Sequence, residues 1–262
     1  MRHVRQAPGP MPLRNPFTPE GDYGEDWVCV RVVEQAAFEM MTGMDQCFGL
    51  TLSATCPGWP LRLMDFIGYH EAQGRHVWID CPTALLSQAE QEYGGHDRQE
   101  PTRRPYEPRV LCHSTTPEGW AGIQRDGALK SWNQLKRAGA IAQERPIGAL
   151  LGDPEDFSDY VMLGSGVSGE IVAASRQAGR LVMDIHAPYQ PGARIYFEVE
   201  RLIGLGLWVR DGAHYKTRAP LPLQLAGYIA VPQDLGVKPP CTPEYFAAAA
   251  DEAARQALGD FD

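Results

Sequence analysis

The twenty residues from Val110 to Leu129 constrain this chain more than any other stretch. Val110-Leu111-Cys112 is a short apolar run that ends in the polar step His113-Ser114-Thr115. A segment with helical composition follows, and Gly127 stops it. Thr116 has the chemistry of an N-cap and Pro117 that of a first helical residue. A strand that hands directly to a helix N-terminus leaves backbone N–H groups pointing outward. The helix dipole then favours anions at that point, so such a junction suits the hydroxyls and phosphates of a ligand.

Alternation of side chains along a strand sorts the residues around this step. Cys112 and His113 point to opposite faces, which argues against a Cys–His nucleophile pair. His113 and Thr115 share a face. Alone, His113 would read as a partly buried histidine satisfied by a backbone carbonyl.

A second cluster, Phe157-Ser158-Asp159-Tyr160-Val161-Met162-Leu163, reads as a strand running into Gly164-Ser165-Gly166. The small residues let backbone approach a ligand closely. A helix is expected over 168–177. A third cluster closes that helix at Gly179, with Arg176 in its last turn. Arg176 suits the helix dipole there, and its planar fork also suits a phosphate or pyrophosphate.

The remaining strands are expected at 109–113, 180–186, 194–198, 205–209 and 228–231, with further helices at 117–125 and 131–138. Many short strands with few helices imply an α+β fold with a split, strongly bent sheet. Upstream, 25–105 reads as a small α+β region and linker: strands at 27–33, 49–54 and 76–80, and helices at 34–44 and 61–69. Residues 1–24, rich in proline, read as a flexible arm. Residues 106–240 carry the motifs, and 241–262 form an acidic helical tail.

Charge limits the partners. Residues 1–105 carry 9 basic and 14 acidic side chains, 106–240 carry 14 of each, and 241–262 carry 1 and 5. A general nucleic-acid binder would present a basic face. Only a local one is visible, from Arg98, Arg103, Arg104 and Arg109 to Arg125, Lys130, Lys136, Arg137 and Arg145. No apolar run approaches the ~18 residues of a membrane span. The N-terminus lacks the apolar core of a secretory signal, so a cytoplasmic location is expected. The six cysteines form no C-x-x-C pair and read as reduced core thiols, with no metal expected.

Taken in order, the clusters resemble the catalytic lobe of the RNA 2′-phosphotransferase branch of the ADP-ribosyltransferase superfamily. The carrying residues are His113-Ser114-Thr115, Tyr160-Val161-Met162-Leu163 and Arg176-Gln177-Ala178-Gly179-Arg180-Leu181-Val182. Ile195-Tyr196-Phe197, Leu205-Gly206-Leu207-Trp208-Val209 and the Pro220–Tyr228 segment follow. The likeness covers about 120 residues, and His70–Val77 adds a fainter match upstream. It implies NAD as a co-substrate, bound by His113, Ser114, Thr115, Tyr160, Ser165 and Arg176, with His113 and Arg176 as the catalytic pair. The implied reaction breaks the nicotinamide–ribose bond through an oxocarbenium-like centre and passes ADP-ribose to an acceptor.

The departures shape the reading. His70 or Glu71, and Ser158, fall where that family requires arginines for the RNA phosphate. Gly206 falls where the protein-modifying branches place a glutamate. The acceptor, whether RNA, protein or a small molecule, is therefore open. Asp159, Glu170 and Glu198 are the candidate carboxylates for activating it. Two alternatives compete with this reading. One is a genuine RNA 2′-phosphotransferase. The other is a non-catalytic module that binds a nucleotide or a protein.

Overall fold

The polar step His113-Ser114-Thr115 sits in a strand whose two faces are both covered, and the rest of the fold follows from how they are covered. A computed structural model describes residues 11–35, 40–43, 47–141, 145–150 and 152–261. The chain is mixed α+β with several small open sheets. It divides into two units: 1–100 with 151–155 and 209–214, and 101–150 with 156–208 and 215–262.

The first unit holds β1 (Trp27–Val33), β2 (Met40–Gly43), β3 (Phe48–Ser53), α1 (Trp59–Ala72), β4 (His76–Asp80) and α2 (Thr83–Tyr93). Its sheet is ordered β2-β3-β1-β4, with β1 parallel to both β3 and β4. Of the helix expected at 34–44, residues 34–35 are neither helix nor strand, 40–43 form a strand, and 36–39 and 44 lie outside the described residues. Met40–Gly43 pairs antiparallel with β3, and this pairing overrides the helical spacing of its apolar residues. The expected strand at 76–80 is found with those bounds. Of the expected arm, residues 11–24 carry specific contacts. Asn15 is buried and donates to Asp22 O, and the Tyr23 hydroxyl donates to Pro12 O.

Residues 209–214 join this unit because Arg62 Nε donates to Gly212 O at 3.0 Å. Gly212 has φ +76°, and a Cβ there would lie 2.2 Å from Arg62 O. Only glycine fits this contact.

The second unit begins with β5 (Val110–Thr115), α3 (Pro117–Asp126), β6 (Ala128–Leu129), α4 (Trp132–Arg137) and α5 (Ile147–Leu150). Next come β7 (Tyr160–Leu163), α6 (Ser168–Ala178), β8 (Ala193–Glu198) and α7 (Val199–Gly204), then Trp208, the first residue of β9 (Trp208–Arg210). It ends with β10 (Tyr215–Arg218), β11 (Leu221–Pro222), β12 (Tyr228–Ala230) and α8 (Pro243–Leu258).

Two three-stranded sheets, β12-β8-β5 and β7-β10-β9, dominate the unit, and the pair β11-β6 is a third. β5 and β12 pair antiparallel with β8, and β10 pairs antiparallel with β7. The local signals at the helix ends act as expected. Thr116 caps α3 by accepting from Gly119 N at 3.2 Å, Ser131 and Gln134 form a capping box on α4, and Thr242 caps α8. Gly127 and Gly179 close α3 and α6 with φ of +65° and +66°.

Side chains of β5 and β8 alternate between two cores. Leu111, Ala193, Ile195 and Phe197 join Val161, Leu163, Leu202 and Leu221 in one. Val110, Cys112 and Tyr196 join Ala230, Ala250 and Ala254 in the other. α8 is therefore not a solvated tail. Phe246, Ala250 and Ala254 recur every fourth residue and are fully buried, and the small alanines let the helix lie close to the sheet.

The expected strand at 180–186 does not form. Its backbone is claimed locally instead. Val182 N donates to Ser175 Oγ at 2.9 Å, Arg180 N donates to Ser175 O, and Asp184 accepts from His186 N. Side-chain acceptors of this kind compete with a sheet ladder.

Candidate functional site

The two three-stranded sheets of the second unit meet at one point. Cys112 N donates to Gly164 O at 2.9 Å, and Gly164 N donates to Cys112 O at 2.8 Å. This bridge sets the end of β7 against the middle of β5, next to His113. His113 Nδ1 lies 3.0 Å from Met162 O. A carbonyl can only accept, so Nδ1 carries the proton and the neutral ring keeps Nε2 as an acceptor.

Burial pushes the His113 pKa down to about 4. The bond to Met162 opposes the shift and the nearby Arg176 charge adds to it. At neutral pH His113 is thus an uncharged imidazole of fixed tautomer. It can accept a hydrogen bond from a ligand hydroxyl without an ammonium-like desolvation cost.

Arg176 is half-buried in the last turn of α6, and burial lowers its pKa. Among the described residues it makes no side-chain hydrogen bond or ion pair. A helix C-terminus accounts for its charge but not for its burial without a carboxylate.

Ser165 is exposed in the turn between β7 and α6. Ser168 Oγ closes this turn on Ser165 O at 2.8 Å. Gly164 leaves room for that hydroxyl, since a Cβ would stand 2.9 Å from it.

The other expected residues have partners of their own. Ser114 points to the opposite face of β5. Its hydroxyl donates to Glu170 Oε1 at 2.5 Å and accepts from Arg194 Nη1 at 3.3 Å, so it is spent on the interior. Thr115 is buried at the start of α3, where a Cβ on Gly119 would stand 2.1 Å from its Oγ1. Tyr160 begins β7, two positions from Met162, and its ring is engaged by the Lys216 ammonium at 4.7 Å. Lys216 also lies 3.5 Å from the centre of the Phe157 ring.

Behind β5 lies a polar cluster centred on Arg194, which is fully buried. Its guanidinium reaches Glu170 Oε1 at 3.1 Å, Asp251 Oδ1 at 3.0 Å and the Tyr196 hydroxyl at 2.9 Å. Nη2 donates to Gly166 O at 2.6 Å. The Tyr189 hydroxyl donates to Glu170, and the Tyr196 hydroxyl to Asp251 at 2.7 Å. Burial raises the Glu170 carboxyl above its ordinary range, while the Arg194 charge and the donated hydrogen bonds pull against it. Sequence reasoning missed Arg194, Tyr189, Tyr196 and Asp251. One signal was available: Arg194 is a lone cation inside the apolar strand 193–197.

None of the three candidate carboxylates stands beside His113. Glu170 is walled in by the cluster just described. Asp159 accepts from Asn133 Nδ2 at 2.9 Å and lies 3.8 Å from Arg137. Glu198 pairs in register with Val110, about 10 Å along the strand from His113.

The local basic run is largely spent within the fold. Arg104 is buried, Arg109 donates to Leu258 O, and Arg125 and Lys130 both pair with Asp126. Cys29 and Cys81 are buried free thiols pushed up to about 11, and Cys112 is one pushed up to about 12, in each case chiefly by burial. No cluster of metal-ligating side chains occurs among the described residues. No helix among them is long and apolar enough to cross a membrane.

No protein-family model, no curated protein and no solved structure matches this chain.

Proposed function

We propose that the second unit binds NAD at the meeting point of β5 and β7, and that the chain is an ADP-ribosyl-transferring enzyme. The observation that carries this is the pairing of a neutral, tautomer-fixed His113 with a half-buried Arg176 that has no carboxylate partner among the described residues. A ribose-pyrophosphate needs an acceptor for a hydroxyl and a fork for a phosphate, and these groups are of those two kinds. The order of the motifs and the splitting of the sheet into two halves joined at Cys112–Gly164 agree with the ADP-ribosyltransferase lobe that the sequence resembles.

In this reading His113 Nε2 accepts a ribose hydroxyl, Arg176 takes the pyrophosphate, and Ser165 with the Gly164–Gly166 backbone borders the ribose. The nicotinamide–ribose C–N bond breaks with its electron pair leaving on nicotinamide nitrogen. The acceptor then bonds to the freed anomeric carbon. With none of Asp159, Glu170 and Glu198 beside His113, the acceptor arrives already anionic or brings its own base. The same absence favours a second reading, a module that binds NAD or ADP-ribose without turnover.

Calorimetry with ADP-ribose and nicotinamide release from NAD separate these readings. Binding with release supports the enzyme, binding without release the module, and absence of both rejects the site. His113→Ala is expected to weaken ADP-ribose binding by about tenfold or more, the scale of one lost buried hydrogen bond of roughly 1–3 kcal/mol.

A further inference from the structure

We infer that Arg194 is a positioning residue for the turn that borders the proposed ligand site, and that the C-terminal helix α8 holds it in place. This rests on the reading of the β5–β7 meeting point as that site. Arg194 emerges from β8 on the face away from His113, so it cannot touch a ligand there itself. Its Nη2 nevertheless donates to Gly166 O at 2.6 Å, a shorter contact than those to Glu170, Asp251, Tyr196 and Ser114, and Gly166 is exposed in the 164–166 turn. The guanidinium thus bonds the backbone of that turn directly.

The rest of the cluster fixes the guanidinium in two directions. Glu170, from α6, holds Nη1 at 3.1 Å. Asp251, from α8, holds Nε at 3.1 Å and Nη2 at 3.0 Å. The planar fork is therefore clamped at both ends and has one rotational setting, with Nη2 aimed at Gly166 O. Ser114 and Gly169 are packed so closely that a Cβ on Gly169 would stand 2.6 Å from Ser114 Oγ, which seats the first turn of α6 on β5. A carbonyl held from inside keeps the adjoining N–H groups of the turn directed outward. Pre-setting a loop in this way lowers the ordering cost of binding. An ammonium cannot satisfy Glu170, Asp251 and Gly166 together, because it lacks the fork.

Hydrogen exchange reads the turn directly. In full-length protein, the segment spanning Leu163 to Gly169 is followed in Arg194→Lys, Asp251→Asn and Tyr189→Phe, and normalised to β8. Arg194→Lys is expected to speed exchange of the turn by about tenfold or more, the scale of a lost charge-assisted hydrogen bond. Asp251→Asn, which alters only the α8 arm, is expected to speed it less but measurably. Tyr189→Phe, which removes a donor to Glu170 and leaves the Gly166 bond intact, is expected to leave it unchanged. Turn exchange equal in all three and in wild type overturns the inference. If Arg194→Lys does not fold, Asp251→Asn decides alone: faster turn exchange supports the inference and wild-type exchange overturns it. Calorimetry with ADP-ribose on the wild type keeps the two questions apart. Failure to bind rejects the ligand reading, while the exchange result still decides whether Arg194 sets the turn.

Discussion

The neutral His113 ring gives a quantitative expectation for acid. The imidazole has a pKa of about 4 in the folded protein against an ordinary value of 6.5. Above pH 6.5 the ring is neutral in both folded and unfolded chains and contributes no pH dependence. Between 6.5 and 4 the unfolded chain takes up a proton that the folded chain refuses. Stability therefore falls as pH drops through that window, by at most about 1.4 kcal/mol per pH unit. From pH 7 to pH 5 the full effect is about 2 kcal/mol, and solvent at one edge of the half-buried ring reduces it towards about 1 kcal/mol. The comparison uses His113→Asn, whose side-chain amide can still donate to Met162 O but does not titrate. Urea unfolding at pH 7 and pH 5 should show the wild type losing about 1–2 kcal/mol more than the variant. The imidazole resonance missing from the variant should titrate near 4 in the wild type. A His113 resonance that titrates at 6 or above, or equal losses in the two proteins, refutes the argument that burial keeps this ring uncharged.

Three further outcomes are expected. Arg176→Lys should weaken ADP-ribose binding by about tenfold while leaving Tm unchanged, since a helix C-terminus accepts either cation and a pyrophosphate prefers the fork; calorimetry and melting on the same samples check both halves. Glu170→Gln should cost about 3 kcal/mol in urea unfolding, the lower end for a broken buried ion pair because Asp251 still faces Arg194; a loss under about 1 kcal/mol would mean the pair is not desolvated as described. Gly192→Ala should cost at least about 3 kcal/mol or prevent folding, because its Cβ would stand 2.1 Å from Thr116 O, and wild-type Tm in that variant would contradict the packing of 192 under the start of α3.

Local chemistry was legible wherever it was decisive on its own. The N-caps Thr116 and Ser131, the stops at Gly127 and Gly179, and the strands at 76–80 and 160–163 follow from residues within one turn or one pleat. What escaped was set by distant partners. Met40–Gly43 has helical spacing but was recruited as a strand by β3. Residues 180–186 have strand-like composition but lose their backbone to the Ser175 hydroxyl. The alanine-rich tail shows no sign in its own sequence that Asp251 will meet an arginine 57 positions earlier. At the site, the pairing of His113 with the end of β7 could be anticipated from the motif order. The turning of Ser114 away from it follows from the same alternation that separated Cys112 from His113.

Two tertiary contacts, one in each unit, join residues that are made far apart in time. Arg62 waits for the carbonyl of Gly212, 150 residues downstream. Arg194 waits for Asp251, 57 residues downstream. A ribosome working from the N-terminus thus makes the strands of each unit before the contact that seals it. A product that stops short of α8 carries a buried arginine with half of its counter-charge. It also leaves bare the sheet face that Phe246, Ala250 and Ala254 would cover. Such a fragment offers quality-control proteases an apolar surface that α8 otherwise covers.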